Sequence, residues 1–242
     1  EFRRVLFRST TFKGIICPPD IGQYQMILVK SFDFLAIRIN HQRLDAKMLD
    51  MQALGQILAT ALFDLGKGFA AGFEFLGQHF DHTIVIEGDL FTTKDADRIE
   101  KHGVPVIQIN TAGGCHLNAH MILQALDCFQ LSDLDLLIIE NVGNLVCPAE
   151  FDTGSTKNMA ILSVPEGDDK PLKYPLMFQV CDVVLINKMD VLPYFDFDVE
   201  KCKENILYRN PNAKIFEVCA KTGEGIDDWS KWLENEVKAW KE

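Results

Sequence analysis

The chain has 242 residues, 48% of them hydrophobic, with 24 basic side chains against 35 acidic ones for a formal charge of −11. That length suits one large α/β domain with a sizeable core, and the acidic balance excludes general binding to nucleic acid or anionic membranes, which needs a basic surplus. No apolar run reaches the ~20 residues of a membrane helix, EFRRVLFRST lacks a signal-peptide core, and seven cysteines follow no disulfide-scaffold spacing, so a reducing cytoplasm is expected.

Residues 1–82 are the irregular third of the chain. CPPDIG reads as a turn, MILVKSFDFLAIRIN offers one or two strands, and AKMLDMQALGQILATALFDL has a helical period over 46–65. Gly, Phe and Ala then crowd residues 66–76 without a pattern. From residue 83 the chain changes character. HTIVIEGD is a strand, DADRIEKHG a helix closing on Gly103, and VPVIQIN a second strand. A helix from about His116 to Phe129 precedes the strand LDLLIIE; MAILSVPEG, CDVVLINK and AKIFEVCA are three more strands, and IDDWSKWLENEVKAW is a final amphipathic helix. Such alternation predicts βαβ units in a mostly parallel sheet with helices on both faces, and ligands at the carboxyl ends of the strands.

Three groups of residues carry chemistry. Asn187-Lys188-Met189-Asp190 follows the strand DVVLI. An Asp at that position accepts the N1–H and 2-amino hydrogens of guanine, a donor pair that adenine lacks. Asn187 bonds the other edge of the base, the Lys188 stem lies along the ring, and the Ala220 N–H of Cys219-Ala220-Lys221 reaches guanine O6. The second group is INTAGGCHLNAH, which places Cys115, His116 and His120 at the start of a helix with both histidines on one face. Cys147, after the next strand, is expected at the same sheet edge, and two thiols with two imidazoles suit Zn²⁺ or Ni²⁺. Cys128, Cys181 and Cys202 have no His nearby and read as small apolar packing residues. The third group is Asp89 and Glu140, carboxylates that end hydrophobic strands where Mg²⁺ and phosphates would lie. Asp168-Asp169 is either a solvated loop or a mobile switch.

In order, IEGDLFTTKDADRIEKHG, INTAGGCHLNAH, IENVGNLVCPAEFD, EGDDKPLKYP, NKMD and CAKTGEG resemble the hydrogenase nickel-incorporation GTPases, the HypB family, from about Thr83 to the C-terminus. The resemblance implies a three-layer P-loop NTPase-like domain over 83–242 and a cytoplasmic GTPase, dimeric, that delivers nickel to the precursor of [NiFe] hydrogenase alongside other maturation proteins. It implies a metal site of Cys115, His116 and Cys147, with His120 as a further candidate. Asp89 and Glu140 then match Mg²⁺ and switch positions, and Asn187, Lys188, Asp190, Ala220 and Lys221 match the GTP/GDP base site. Cys219 stands where the family usually has Ser.

One part of the pattern is missing. No GxxxxGK[ST] occurs in residues 1–82, and the nearest stretch, DLGKGFAAG, has Ala61 where the first Gly belongs and Gly68 where the Mg²⁺-holding Ser or Thr belongs. GTP binding and turnover are therefore expected to be weak. Two origins are open: a family member that lost hydrolysis, or a non-native reading of residues 1 to about 75. A non-catalytic nickel- or zinc-binding dimerisation protein and a urease-type metallochaperone GTPase are the alternative functions.

Overall fold

A computed structural model of the chain describes residues 80–241 except 81, 90–92, 130, 132 and 133, together with the backbone of three upstream strands. These are β1 (Phe12–Ile16), β2 (Leu28–Lys30) and β3 (Ile57–Leu62). The strands β4 (Thr83–Asp89), β5 (Val106–Asn110), β6 (Leu136–Glu140), β7 (Lys157–Ser163), β8 (Val183–Asn187) and β9 (Lys214–Glu217) follow. Together they form one sheet in the order β2-β1-β5-β4-β6-β3-β7-β8-β9. All pairings from β5 to β9 are parallel, and only β1 and β2 run against their neighbours.

Connecting helices are α1 (Lys94–Glu100), α2 (Ala119–Leu126), α3 (Cys147–Glu150), α4 (Lys170–Lys173), α5 (Pro175–Val180), α6 (Val199–Arg209) and α7 (Ile226–Lys241). Strand alternation splits the core in two. Val85, Val106, Ile138, Ile161 and Leu185 face one way, against Ala96 and Ile99 of α1 and Trp229 and Leu233 of α7. Ile86, Ile107 and Ile139 face the other way, against Ile122 and Leu126 of α2, while Leu162 and Ile186 meet Phe178 of α5 and Ile206 of α6. Each fully buried Ile or Leu contributes roughly 1.5–3 kcal/mol. Helices therefore cover both faces, as the β-branched runs predict. Among the described residues no helix is long and apolar enough to cross a membrane.

Two expectations change. The helical period over 46–65 gives way at Ile57–Leu62 to a strand paired in parallel with β6 on one side and β7 on the other. A strand with neighbours on both edges of a parallel sheet reads as a continuous apolar run, which periodicity does not separate from a helix. The helix expected from His116 begins only at Ala119, because extended Asn118 caps it by accepting the Met121 N–H at 3.1 Å. CPPDIG and DLGKGFAAG lie outside the described residues.

Register makes the carboxyl edge uneven. Leu62, the last residue of β3, is level with Ala160, whereas β7 continues to Ser163 beside Asn187 of β8. At ~3.3 Å per residue, β7 and β8 overshoot β3 by roughly 10 Å.

Candidate functional site

On the face that carries α1 and α7, the strands turn polar at their carboxyl ends. Glu87 pairs in register with Gln108 of β5 and Glu140 of β6, and all three are at least 95% buried. Burial first, then the charges of Asp89 and Asp95, push the Glu87 carboxyl from its ordinary 4.5 to about 8. Oxygens of Glu87, Asp89 and Asp95 lie within 4.8 Å of one another. Asp95 arrives from the first turn of α1 and is ion-paired with Arg98 at 2.5 Å. Glu87 Oε2 is buried without a hydrogen-bond partner, and an oxygen-only donor set fits a hard cation such as Mg²⁺. Asp89 and Glu140 both reach this edge as expected, but the close acidic trio contains Asp89 and not Glu140. Glu87 and Asp95 escaped the sequence reading. The available signal was Glu87 two residues before Asp89, hence on the same strand face.

The segments expected to read a base meet at the far end of the overshoot. Asn187 ends β8, and Lys188 takes a left-handed conformation (φ 63°) that turns the chain into a 3₁₀ turn, Met189–Tyr194, holding Asp190. Asn187 Oδ1 accepts the N–H groups of Lys188 at 2.7 Å and Ala220 at 3.2 Å. The Ala220 N–H, expected to reach a base oxygen, donates to Asn187 Oδ1 in this structure. Asp190 lies 3.7 Å from the Lys221 ammonium. The second loop is a tight hairpin in which Cys219 N–H donates to Glu224 O and Gly223 N–H to Cys219 O, each at 2.8 Å. Gly225 closes it at φ 74°, where a Cβ would stand 2.0 Å from the Glu217 carbonyl oxygen.

The thiol segments also meet. Cys115 lies in the loop after β5 and Cys147 is the first residue of α3, and a hydrogen bond to Cys115 is the leading cause that raises the Cys147 thiol. Cys115 Sγ is 3.6 Å from His116 Nδ1, and the His116 ring stacks on Phe151 at 3.6 Å and 10°. The shared histidine face is not formed, since His116 precedes α2 whereas His120 is its second residue. Among the described residues, no three of Cys115, His116, His120 and Cys147 bring ligand atoms within 4.8 Å of one another. Two thiols with one adjacent imidazole are donors for Ni²⁺ or Zn²⁺ rather than Mg²⁺.

Asparagines that the sequence reading passed over build this arrangement. Asn141 Oδ1 accepts the N–H groups of Leu117 at 2.7 Å and Val142 at 2.9 Å. Asn144 Nδ2 donates to the Cys115 carbonyl at 2.5 Å, and its Oδ1 accepts from Val146 and Cys147 at 3.0 and 2.8 Å. Leu117 in turn lies over Gly88, where a Cβ would come within 2.7 Å of its side chain.

Asp168 and Asp169, the loop or switch pair, make these contacts. Asp168 accepts the Asp198 N–H at 3.1 Å, and Asp169 pairs with Lys173 at 2.5 Å and Lys170 at 3.3 Å. Cys181 and Cys202 are buried free thiols as expected, with burial raising both. Cys128 is buried too, but disulfide-bonded.

A family model for the CobW/HypB/UreG nucleotide-binding domain matches residues 76–217. Hydrogenase maturation factor HypB of Azotobacter chroococcum is 52% identical over 163 residues, which are 67% of this chain and 53% of that protein. Hydrogenase/urease maturation factor HypB of Helicobacter pylori (strain J99) is 47% identical over 153 residues, 62% of this chain and 63% of that one. The chain spans about half the length of the first of these curated relatives and under two thirds of the second. Among solved structures, HypB from Helicobacter pylori in complex with nickel superposes with a TM-score of 0.72 at 39% identity, covering 81% of this chain and 96% of that one. Fold, motif order and these matches agree, and the chain belongs to the HypB family of CobW/HypB/UreG nucleotide-binding domains.

Proposed function

We propose that this chain is a nickel-handling maturation factor for [NiFe] hydrogenase, built to use GTP and weakened at the phosphate-binding step. The observation that carries the reading is that Asn144 bonds the backbone of both Cys115 and Cys147, which joins two separate loops at the sheet edge where the carboxylates and the expected base-reading loops also lie. Nickel is the cargo. Cys115 and Cys147 hold it as thiolates, and His116, kept in place by Phe151, adds an imidazole.

Asp190 and Asn187 select guanine; Lys188 and Lys221 flank the base, and Ala220 is tied to Asn187. Asp89, with Glu87 and Asp95, holds Mg²⁺, which neutralises phosphate charge when bound. Glu140 begins the loop that carries Asn141, Asn144 and Cys147, so a displacement at the phosphate edge is passed by one short segment to both thiols. The protein works as a homodimer in the cytoplasm, with other maturation proteins and the hydrogenase large-subunit precursor as partners. The relative described as a hydrogenase/urease maturation factor makes a urease client the second reading.

The weakness lies in residues 1–82, which contain no GxxxxGK[ST]. We infer that residues 1 to about 75 are a non-native reading of the gene. Intact base, switch and thiol motifs downstream support this, because a long-inactive GTPase would drift there. Resequencing from the source is expected to break the reading frame in this region, and a continuous frame encoding residues 1–82 as given overturns the inference.

Equilibrium dialysis against Ni²⁺, run beside titration with fluorescent GDP and ADP, tests the function. We expect nickel binding by the wild type, its loss in Cys115→Ala, and weak GDP binding that exceeds ADP binding. Nickel binding with no guanine preference would leave a non-catalytic metal-binding dimerisation protein. Tight GDP binding with rapid turnover would refute the weakened phosphate step.

A further inference from the structure

Cys115 and Cys147 sit 32 positions apart on different loops, and a two-thiol site needs their separation fixed to a few tenths of an ångström. One side chain touches the backbone of both. Asn144 donates through Nδ2 to the Cys115 carbonyl and accepts through Oδ1 from the Cys147 N–H, so its amide spans the gap between the two segments. Its second accepted bond, from Val146, holds the turn that leads into α3. Asn141 makes the companion tie at Leu117, two residues beyond Cys115. The segment Cys115-His116-Leu117 is thus clamped at both ends to the loop after β6, with His116 between the clamps.

We propose that Asn144 is a positioning residue that sets the Cys115–Cys147 spacing and so makes two separate thiols act as one chelating pair. It touches no metal itself and acts through the backbone of both cysteines. An amide is the side chain that fits, because the bridge needs a donor toward Cys115 and an acceptor toward Cys147 at once. Aspartate keeps the acceptor and loses the donor, and alanine loses both. The two variants therefore separate the bridge from the local turn.

The metal arm of the test rests on the nickel reading above, whereas a thiol arm does not. In the thiol arm, each protein is equilibrated with glutathione. One oxidised glutathione is reduced to two thiols as Cys115 and Cys147 are oxidised to a disulfide, and peptide mapping by mass spectrometry counts that bond. The equilibrium constant measures the effective concentration of one thiol at the other. Cys181, Cys202 and Cys219 are buried and stay out of the exchange, and the peptide map separates the Cys115–Cys147 bond from the disulfide at Cys128.

Asn144→Ala and Asn144→Asp are both expected to lower this constant about tenfold or more, and to weaken Ni²⁺ binding within the ~10–100-fold range typical of residues that orient metal ligands. The nickel–thiolate charge-transfer band should shift or weaken in parallel. Thermal melting monitors the fold, and Asn144→Asp, which retains the capping acceptor, decides the matter if Asn144→Ala unfolds. A thiol-exchange constant in Asn144→Asp equal to that of the wild type overturns the proposal. If the wild type binds no nickel while both variants still lose the disulfide, the positioning role stands and the metal reading falls.

Discussion

Replacing Glu87 by Gln tests whether the polar row at the carboxyl edge behaves as its burial dictates. The Glu87 carboxyl is raised from 4.5 to about 8, chiefly by burial, with Asp89 and Asp95 adding repulsion. Below pH 4.5 the group is protonated in both folded and unfolded chains and contributes nothing. Between 4.5 and 8 the unfolded chain gives up its proton while the folded chain keeps it, so stability falls as pH rises, by about 1.4 kcal/mol per pH unit. Above about 8 both states are ionised and the loss is complete, at a ceiling of roughly 5 kcal/mol. Glutamine carries no such dependence. The stability of Glu87→Gln minus that of the wild type should therefore grow by up to about 2.7 kcal/mol from pH 5.5 to 7.5. Urea unfolding in EDTA at several pH values measures it. Added Mg²⁺ should shrink the difference, because an ionised Glu87 would then have a cation partner. A gap that stays constant across pH 5.5–7.5 would refute the argument that Glu87 is neutral in the folded protein.

Three further outcomes are expected. Gly225→Ala forces a Cβ to 2.0 Å from the Glu217 carbonyl at φ 74°, combining backbone strain with overpacking, and should cost about 3 kcal/mol or more in thermal unfolding. Asn187→Ala leaves the Ala220 N–H without its acceptor, at about 1–3 kcal/mol of stability, and should weaken the preference for fluorescent GDP over ADP. Because a thiol must lose its proton to bind a metal, and Cys147 is raised above the ordinary thiol value, Ni²⁺ affinity should climb steadily from pH 7 to 9; calorimetry on Cys147→Ala should show a shallower climb.

Much of this was legible in the sequence, for identifiable reasons. Strands such as TIVIEGD and VVLIN announce themselves by β-branched runs that end in a polar turn, and NKMD brings an amide, an ammonium and a carboxylate together in four consecutive residues. β3 was not legible, since Ile-Leu-Ala-Thr-Ala-Leu has no alternation and its Ala and Leu favour a helix. Nor was the start of α2, where the bonds from Asn141 and Asn144 to Leu117 and Cys115 keep the chain extended against a helical period. Glu87 shares a strand face with Asp89 in the sequence, and the sheet register adds that it lies beside Glu140. Asn144 looks like any turn residue until both thiol loops are seen to meet there.

The bond from Ala220 to Asn187 has a thermodynamic consequence of its own. The two loops proposed to read the base are joined in the free chain, so under that reading docking guanine spends little on ordering them. Base selection then becomes separable from phosphate grip: guanosine without phosphates should be distinguished from adenosine by nearly the same factor as GDP from ADP. A chain that holds triphosphates poorly would remain a faithful reader of the nucleobase.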